Sequence, residues 1–178
     1  MDNIAAYLLD LIQNAIAAKA SLIELTIKEE DTFDVTLSDN GSGMDEETLN
    51  KAISPYFTTR KTRKVGLGLA MIKLLSEQTN GTFELKSKRY KGTELHVSFD
   101  PKEIDMPPIG DLGEMVLIVS LHQDVSEFIF NYQRFNEHYR YQLSEMKKML
   151  GETIKEINIM NYIKDYINQE ITKVRGIK

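Results

Sequence analysis

Between residues 3 and 20 the apolar side chains return at helical spacing, with Ala5, Leu8, Leu9, Ile12, Ala15 and Ile16 on one face. The spacing predicts a helix there. Asp10 and Asn14 lie four residues apart and so project together from it. Two polar residues set into so apolar a helix need a reason. The rhythm then changes to strict alternation. In "LIELTIK" Ile23, Leu25 and Ile27 alternate with Glu24, Thr26 and Lys28, and "FDVTLSD" repeats the pattern with Phe33, Val35 and Leu37. Both read as half-buried strands. Helical spacing comes back over 45–53, with acids in the first turn, and over 67–79, with Leu67, Ala70, Met71, Leu74 and Leu75 as its stripe. "TFELKSK" and "GTELHVSF" are two further strands joined by "RYKG".

Each of these strands is apolar on one side only. They predict a sheet with one wet face and one face covered by helices, hence an α+β, two-layer α/β sandwich rather than a doubly wound sheet. His96 falls on the polar side with Glu94 and Ser98 and reads as a solvated histidine. The stretch "DMPPIGDLG" marks a boundary, because two prolines and two glycines interrupt any regular element. The expected division is residues 1–104 and a small C-terminal α/β appendage, 105–178. There "EMVLIVSLH" reads as a helix, and "FIFNYQRF" with "HYRYQLS" as a hairpin turning at Asn136-Glu137. Residues 145–150 suit one or two helical turns. Ile159, Tyr162, Ile163, Tyr166, Ile167, Ile171 and Val174 mark a final amphipathic helix. The aromatic residues of this part are expected in the core.

Composition narrows the choices. A chain of 178 residues with 42% apolar and 28% charged residues is an ordinary globular protein. A net charge of −5 supplies no general attraction to nucleic acid. The absence of cysteine excludes disulfides, thiol catalysis and thiolate metal sites. No apolar run is long enough to span a membrane, and a cytoplasmic location is expected.

Three signals carry the chemistry. Asp10-x-x-x-Asn14 sits on a helix; Asp39-x-Gly41-x-Gly43 follows a strand; and "TTRKTRKVGLGLAMIKLL" runs a basic loop into Gly66-x-Gly68 at a helix start. An aspartate at a strand end can accept a hydrogen bond from an exocyclic amine. Glycines at 41 and 43 let main chain approach a flat base. Gly66 and Gly68 can do the same for phosphates, at a helix start whose amides favour anions. Arg60, Lys61, Arg63 and Lys64 stand ready to neutralise phosphate oxygens. Asn14 offers a neutral oxygen to magnesium, and Asp10 can hold or deprotonate an attacking group. Singly, each has a plain alternative: Asp-Asn-Gly is common turn chemistry, Gly-x-Gly often serves capping, and charged loops are usually solvated. Their conjunction in this order is what points to a nucleotide.

These residues resemble the Bergerat ATP-binding fold of the GHKL superfamily, in its histidine-kinase-like form. "LLDLIQNAIAAKA" is similar to its N box, "DNGSGM" to its first glycine box, "PYFTTR" to the F box, and "VGLGLAMIKLLSEQTNGTFELKSKRYKGTELHVSF" to the second glycine box and closing strands. The resemblance covers about residues 4–99. It implies a mixed sheet, bound ATP and Mg2+, with Asn14 the magnesium ligand, Asp39 the reader of the adenine amine and Thr93 its support. It implies further nucleotide contacts from Gly41, Gly43, Met44, Thr59, Arg60, Lys61, Lys64, Gly66, Leu67, Gly68 and Leu69, and a lid over 58–65.

Departures from the pattern qualify the activity. Asp10 stands where kinases often carry Asn and hydrolysing relatives Glu, so its carboxylate has a shorter reach. Ala17 replaces a frequent lysine, and Lys64 a further glycine. The chain begins at the N box, and His96, His122 and His138 lack a phosphoacceptor's helical context, so a self-sufficient histidine kinase is not expected. The leading expectation is an ATP-binding protein with slow magnesium-dependent hydrolysis or phosphotransfer to a separate protein, with Asp10 as the catalytic group. The alternative is a nucleotide-dependent switch without significant chemistry. A dimerising clamp of gyrase type is weaker, as no long transducer follows. In either leading case a protein partner is expected at the C-terminal region or lid, with no nucleic-acid or membrane partner.

Overall fold

A computed structural model describes residues 3–53 and 68–176. Helix α1 (Ile4–Ala17) starts at Asn3, whose side chain accepts from the Ala6 amide at 2.9 Å. It stops three residues sooner than the apolar spacing suggests. Lys19 turns left-handed at φ 63°, and the Lys19 and Ala20 amides fold back onto the Ile16 and Ala15 carbonyls. This is a Schellman ending with lysine in the place where glycine is usual.

The hairpin of β1 (Leu22–Glu29) and β2 (Phe33–Asp39) follows. After it come α2 (Glu46–Ala52), α3 (Gly68–Gln78), and the hairpin of β3 (Phe83–Lys88) and β4 (Gly92–Phe99). Beyond the Pro-Gly stretch lie α4 (Leu112–Ser120), β5 (Glu127–Arg134), β6 (Glu137–Gln142), α5 (Leu143–Leu150), a 3-10 turn (Gly151–Lys155) and α6 (Ile157–Arg175). Six strands form one mixed sheet in the order β3-β4-β2-β1-β5-β6. β5 runs parallel to β1, with Leu25 opposite Phe130, so the sheet continues across the 104/105 boundary into the C-terminal region.

Alternation sets the layers. Ile23, Leu25, Ile27, Phe33, Val35, Leu37, Leu95, Val97, Phe128 and Phe130 are buried beneath the helices. The opposite face is polar: His96 is partly exposed there, 3.2 Å from the Thr36 hydroxyl and 3.8 Å from Asp34. The core reading holds for Phe128, Phe130, Tyr132 and Tyr141, which are buried, but not for Phe135, Tyr162 and Tyr166. On α6 the buried stripe is Ile163, Ile167, Ile171 and Val174. Tyr162 and Tyr166 each lie one position, about 100°, off that stripe. They stack on each other, ring centroids 6.3 Å apart, and remain 69% and 40% exposed.

Two contacts tie the C-terminal region to α1. The Ile4 and Ala5 amides, orphaned by the helix start, donate to the carbonyls of Pro108 and Ile109 at 3.0 and 2.8 Å. α4 then packs on α1, and is itself held by α6. Asn168 accepts from the Gly113 amide at 2.9 Å and donates to Asp111, the α4 cap, at 2.7 Å.

Candidate functional site

A cavity of about 390 Å³ opens between α1, α2, the loop after β2, the start of α3 and the sheet. That volume falls in the range of small-molecule sites. Its walls are mostly apolar: Leu11 and Ala15 from α1, Leu37 from β2, Leu85 from β3, Leu95 from β4 and Leu69 from α3. The polar groups that converge on it are few, chiefly Asn14, Asp39, Ser42, Thr48 and Thr93.

Asp39 ends β2 in register with Thr93 of β4 on one side and Ile23 of β1 on the other. One carboxylate oxygen accepts the Gly41 amide at 2.7 Å, an Asx turn that fixes the side chain. Burial pushes the Asp39 carboxyl above the usual aspartate range, against the opposing pull of the Gly41 and Thr93 amides. The loop that follows is clamped to the β3–β4 hairpin. The Tyr90 amide donates to the Ser42 carbonyl at 2.6 Å and the Met44 amide to the Ser87 hydroxyl at 2.8 Å. Gly43 has φ +60°, and a Cβ there would run into the Lys88 carbonyl. The protein's own main chain therefore already requires glycine at 43, while the residue also lines the cavity. Gly41 is packed beside Asp39, where a Cβ would sit 2.9 Å from both the Ala18 carbonyl and the Asp39 carboxylate.

Asn14 reaches the cavity, but Asp10, one turn earlier on α1, is not among its lining residues. Asp10 instead packs against the first residue of α3: a Cβ on Gly68 would collide with Asp10 Oδ2. That oxygen is buried and has no hydrogen-bond partner among the described residues. Buried polar atoms left unpaired are uncommon and call for an explanation. Here the atom sits where the amides of a helix start offer positive potential.

Of the residues singled out in the sequence, Asn14, Asp39, Gly43, Met44, Leu69 and Thr93 thus share one cavity. Gly41 adjoins it, and Asp10 meets Gly68. Thr59, Arg60, Lys61, Lys64, Gly66, Leu67 and the lid over 58–65 lie outside the described residues. Sequence reasoning passed over Thr48 and Ala52 of α2, Ala18 and Ser87, and noted Ala17 only as the replacement of a lysine. The small side chains at 17 and 18 were a usable signal, since they leave room at the end of α1 where a longer residue would fill it.

Among the described residues no three His, Asp or Glu side chains converge on a metal position. No helix among them is long and apolar enough to cross a membrane.

Residues 2–103 match the family model described as histidine kinase-, DNA gyrase B-, and HSP90-like ATPase. The putative sensor histidine kinase NtrY-like of Rickettsia conorii is 32% identical over 104 residues, which cover 56% of this chain and 17% of that protein. The sensor histidine kinase ZraS of Escherichia coli is 35% identical over 95 residues, 52% of this chain and 20% of that protein. The chain therefore spans a fifth or less of these relatives' length. The N-terminal domain of a DNA repair protein superimposes over 80% of this chain and 52% of its own, with a TM-score of 0.51 and 14% identity, a likeness of fold.

Proposed function

The chain belongs to the histidine kinase-, DNA gyrase B- and HSP90-like ATPase family, and from that premise we propose that its cavity binds ATP for slow hydrolysis or for phosphotransfer to a separate protein. The observation that carries this reading is the pairing of a mostly apolar cavity with a half-buried carboxylate, Asp39, in its wall. Adenine suits such a wall: its faces are apolar and its exocyclic amine donates. Leu37, Leu95 and Leu85 would bound the ring, and Asp39 would take the amine.

The phosphates would extend along α1 toward Asn14 and the start of α3, with Thr59, Arg60, Lys61 and Lys64 supplying cationic and hydroxyl contacts. The donor set fits magnesium brought in by the nucleotide rather than held by the protein alone. Asn14 gives one neutral oxygen, and the unpaired buried Oδ2 of Asp10 lies one helical turn away. When bound, magnesium would neutralise charge on the phosphoryl oxygens. The work of the chain's own residues is then orientation and proton handling. Asp10, whose Oδ2 has no hydrogen-bond partner among the described residues, would take a proton from an attacking hydroxyl or water. Its short side chain, tucked against Gly68, supports slow rather than rapid turnover.

Purified protein titrated calorimetrically with magnesium-ATP tests the binding. The expected result is saturable binding that Asp39→Asn weakens by about 1–3 kcal/mol, because a half-buried charged acceptor is replaced by a neutral group that also donates. No loss on that substitution would remove Asp39 as base reader. γ-labelled ATP, given with and without host lysate, separates hydrolysis from transfer.

One observation favours a second reading, a switch whose output is a surface. α1 carries Asp10 and Asn14, and its N-terminal amides are capped from the C-terminal region by Pro108 and Ile109. Ligand-induced movement of α1 would reach α4 and α6 directly. Hydrogen exchange in α4 and α6 that changes with a non-hydrolysable ATP analogue would support it; exchange confined to the cavity would oppose it.

A further inference from the structure

Ser87 lies on β3, the strand at the sheet's edge, on the same half-buried face as Phe83 and Leu85, while Glu84, Lys86 and Lys88 alternate with them on the exposed face. Its hydroxyl makes three contacts: the Met44 amide at 2.8 Å, the Gly92 carbonyl at 3.0 Å and the Thr93 hydroxyl at 2.9 Å. A hydroxyl has one hydrogen and two lone pairs. The Met44 amide can only donate and the Gly92 carbonyl can only accept. All three contacts are therefore satisfied together in one arrangement: Ser87 donates to Gly92 and accepts from both Met44 and Thr93. The hydrogen of Thr93 is thereby directed away from the cavity that Thr93 lines, and its oxygen shows the cavity lone pairs.

Thr93 pairs in register with Asp39, whose carboxylate is likewise an acceptor. We infer that Ser87 is a positioning residue for purine selectivity: by fixing the direction of the Thr93 hydroxyl, it makes this wall of the cavity acceptor-only. A ring edge bearing an amino group is then accepted, and one bearing a carbonyl oxygen is repelled. The same hydroxyl pins Met44, so the glycine-loop wall and the strand wall of the cavity share one anchor. Without Ser87 the Thr93 hydroxyl is free to rotate and donate, and a 6-oxo ring meets a willing partner. The inference rests on the reading of the cavity as a nucleotide site.

ATP and inosine triphosphate differ at the purine 6-position, an amine against a carbonyl oxygen, and at N1, a lone pair against an N–H, so their affinity ratio reads the wall where it meets the 6-position. The wild-type chain is expected to prefer ATP, and Ser87→Ala to narrow the ratio by about tenfold. Loosened packing alone would weaken both ligands together and leave the ratio as it was. Ser87→Thr keeps the hydroxyl and suits a strand, and it is expected to retain the wild-type ratio. Ser87→Val, its isostere without the hydroxyl, is expected to behave like Ser87→Ala and replaces it should the alanine variant fail to fold. An unchanged ratio in the folded alanine or valine variant overturns the role of Ser87 while leaving the nucleotide site standing. Absence of ATP binding by the wild-type chain overturns both.

Discussion

Two carboxylates at opposite parts of the molecule show what each part is for. Asp10, on α1 beside the cavity, has a buried oxygen with no partner among the described residues. Glu29, at the far end of β1, is crowded with donors: the Tyr132 hydroxyl, and Arg175 Nε and Nη2 at 2.9 and 3.2 Å. Arg134 completes that cluster by donating to the Arg175 carbonyl at the end of α6. Burial would raise the Glu29 carboxyl. The hydrogen bonds from Arg175 and Tyr132, with the charges of Arg175 and Arg134, outweigh it and hold the group below the usual glutamate range. A fully satisfied network fastens one element to another, here α6 to β1 and β5. An unsatisfied acceptor at a helix start is a cost the fold carries, and a ligand would explain it.

Four measurements would break or sharpen that contrast. The largest effect is expected from Asp10→Ala, which should lower turnover by about 10²–10⁴-fold, the usual worth of a positioned acid or base. It should leave ATP binding nearly intact and stabilise the fold by about 1 kcal/mol, since an unpaired buried oxygen is removed. A loss of stability in a denaturant titration would mean that Asp10 is a fastening group after all. Next, Glu29→Ala should cost about 2 kcal/mol, less than a fully buried pair because Glu29 and Arg175 are both partly exposed. Its ATP affinity should stay near wild type; a matching drop would dissolve the division of labour.

Gly68→Ala should follow. Its Cβ meets the far end of Asp10, so the substitution is expected to be unfavourable in the wild-type chain and harmless beside Asp10→Ala. A double-mutant cycle should give a coupling of about 1 kcal/mol, and strict additivity would deny the contact. The smallest effect is the order of events on acidification. The folded-state pKa of Asp39 is raised, so protonation removes its acceptor character at a higher pH than for an ordinary aspartate. The folded-state pKa of Glu29 is lowered, so its stabilisation is complete above the unfolded glutamate pKa and disappears only as pH falls through the lower folded value. ATP affinity should therefore decline before thermal stability does. Stability falling first would reverse the assignment.

Much of the architecture was legible because alternation is a local property. β2 runs over the seven residues of "FDVTLSD", from Phe33 to Asp39, as its pattern indicates. The parallel pairing of β5 with β1 was not legible, for nothing in either strand's periodicity names its neighbour. Tyr162 and Tyr166 misled for a related reason: a helical stripe has a width, and sequence spacing does not show where packing stops. At the site, Asn14 and Asp39 could be singled out because their residue types suit a ligand, and Thr93 only through the family resemblance. Ser87 was not singled out: alternation puts it on the same face of β3 as Phe83 and Leu85, but only the hairpin register shows that it stands beside Thr93. Gly43 was readable as a glycine that must be one, but the carbonyl of Lys88 that demands it comes from a strand more than forty positions later.

The family match ends at residue 103, whereas the caps of α1 come from Pro108 and Ile109 and the second neighbour of β1 is β5. Cutting the chain where the match ends would bare a whole row of strand amides and carbonyls along β1 and uncap the helix that bears Asn14. Such a fragment would be a sticky half-sheet prone to join its own kind edge to edge. In this chain the unit recognised by likeness is smaller than the sheet of which it is part.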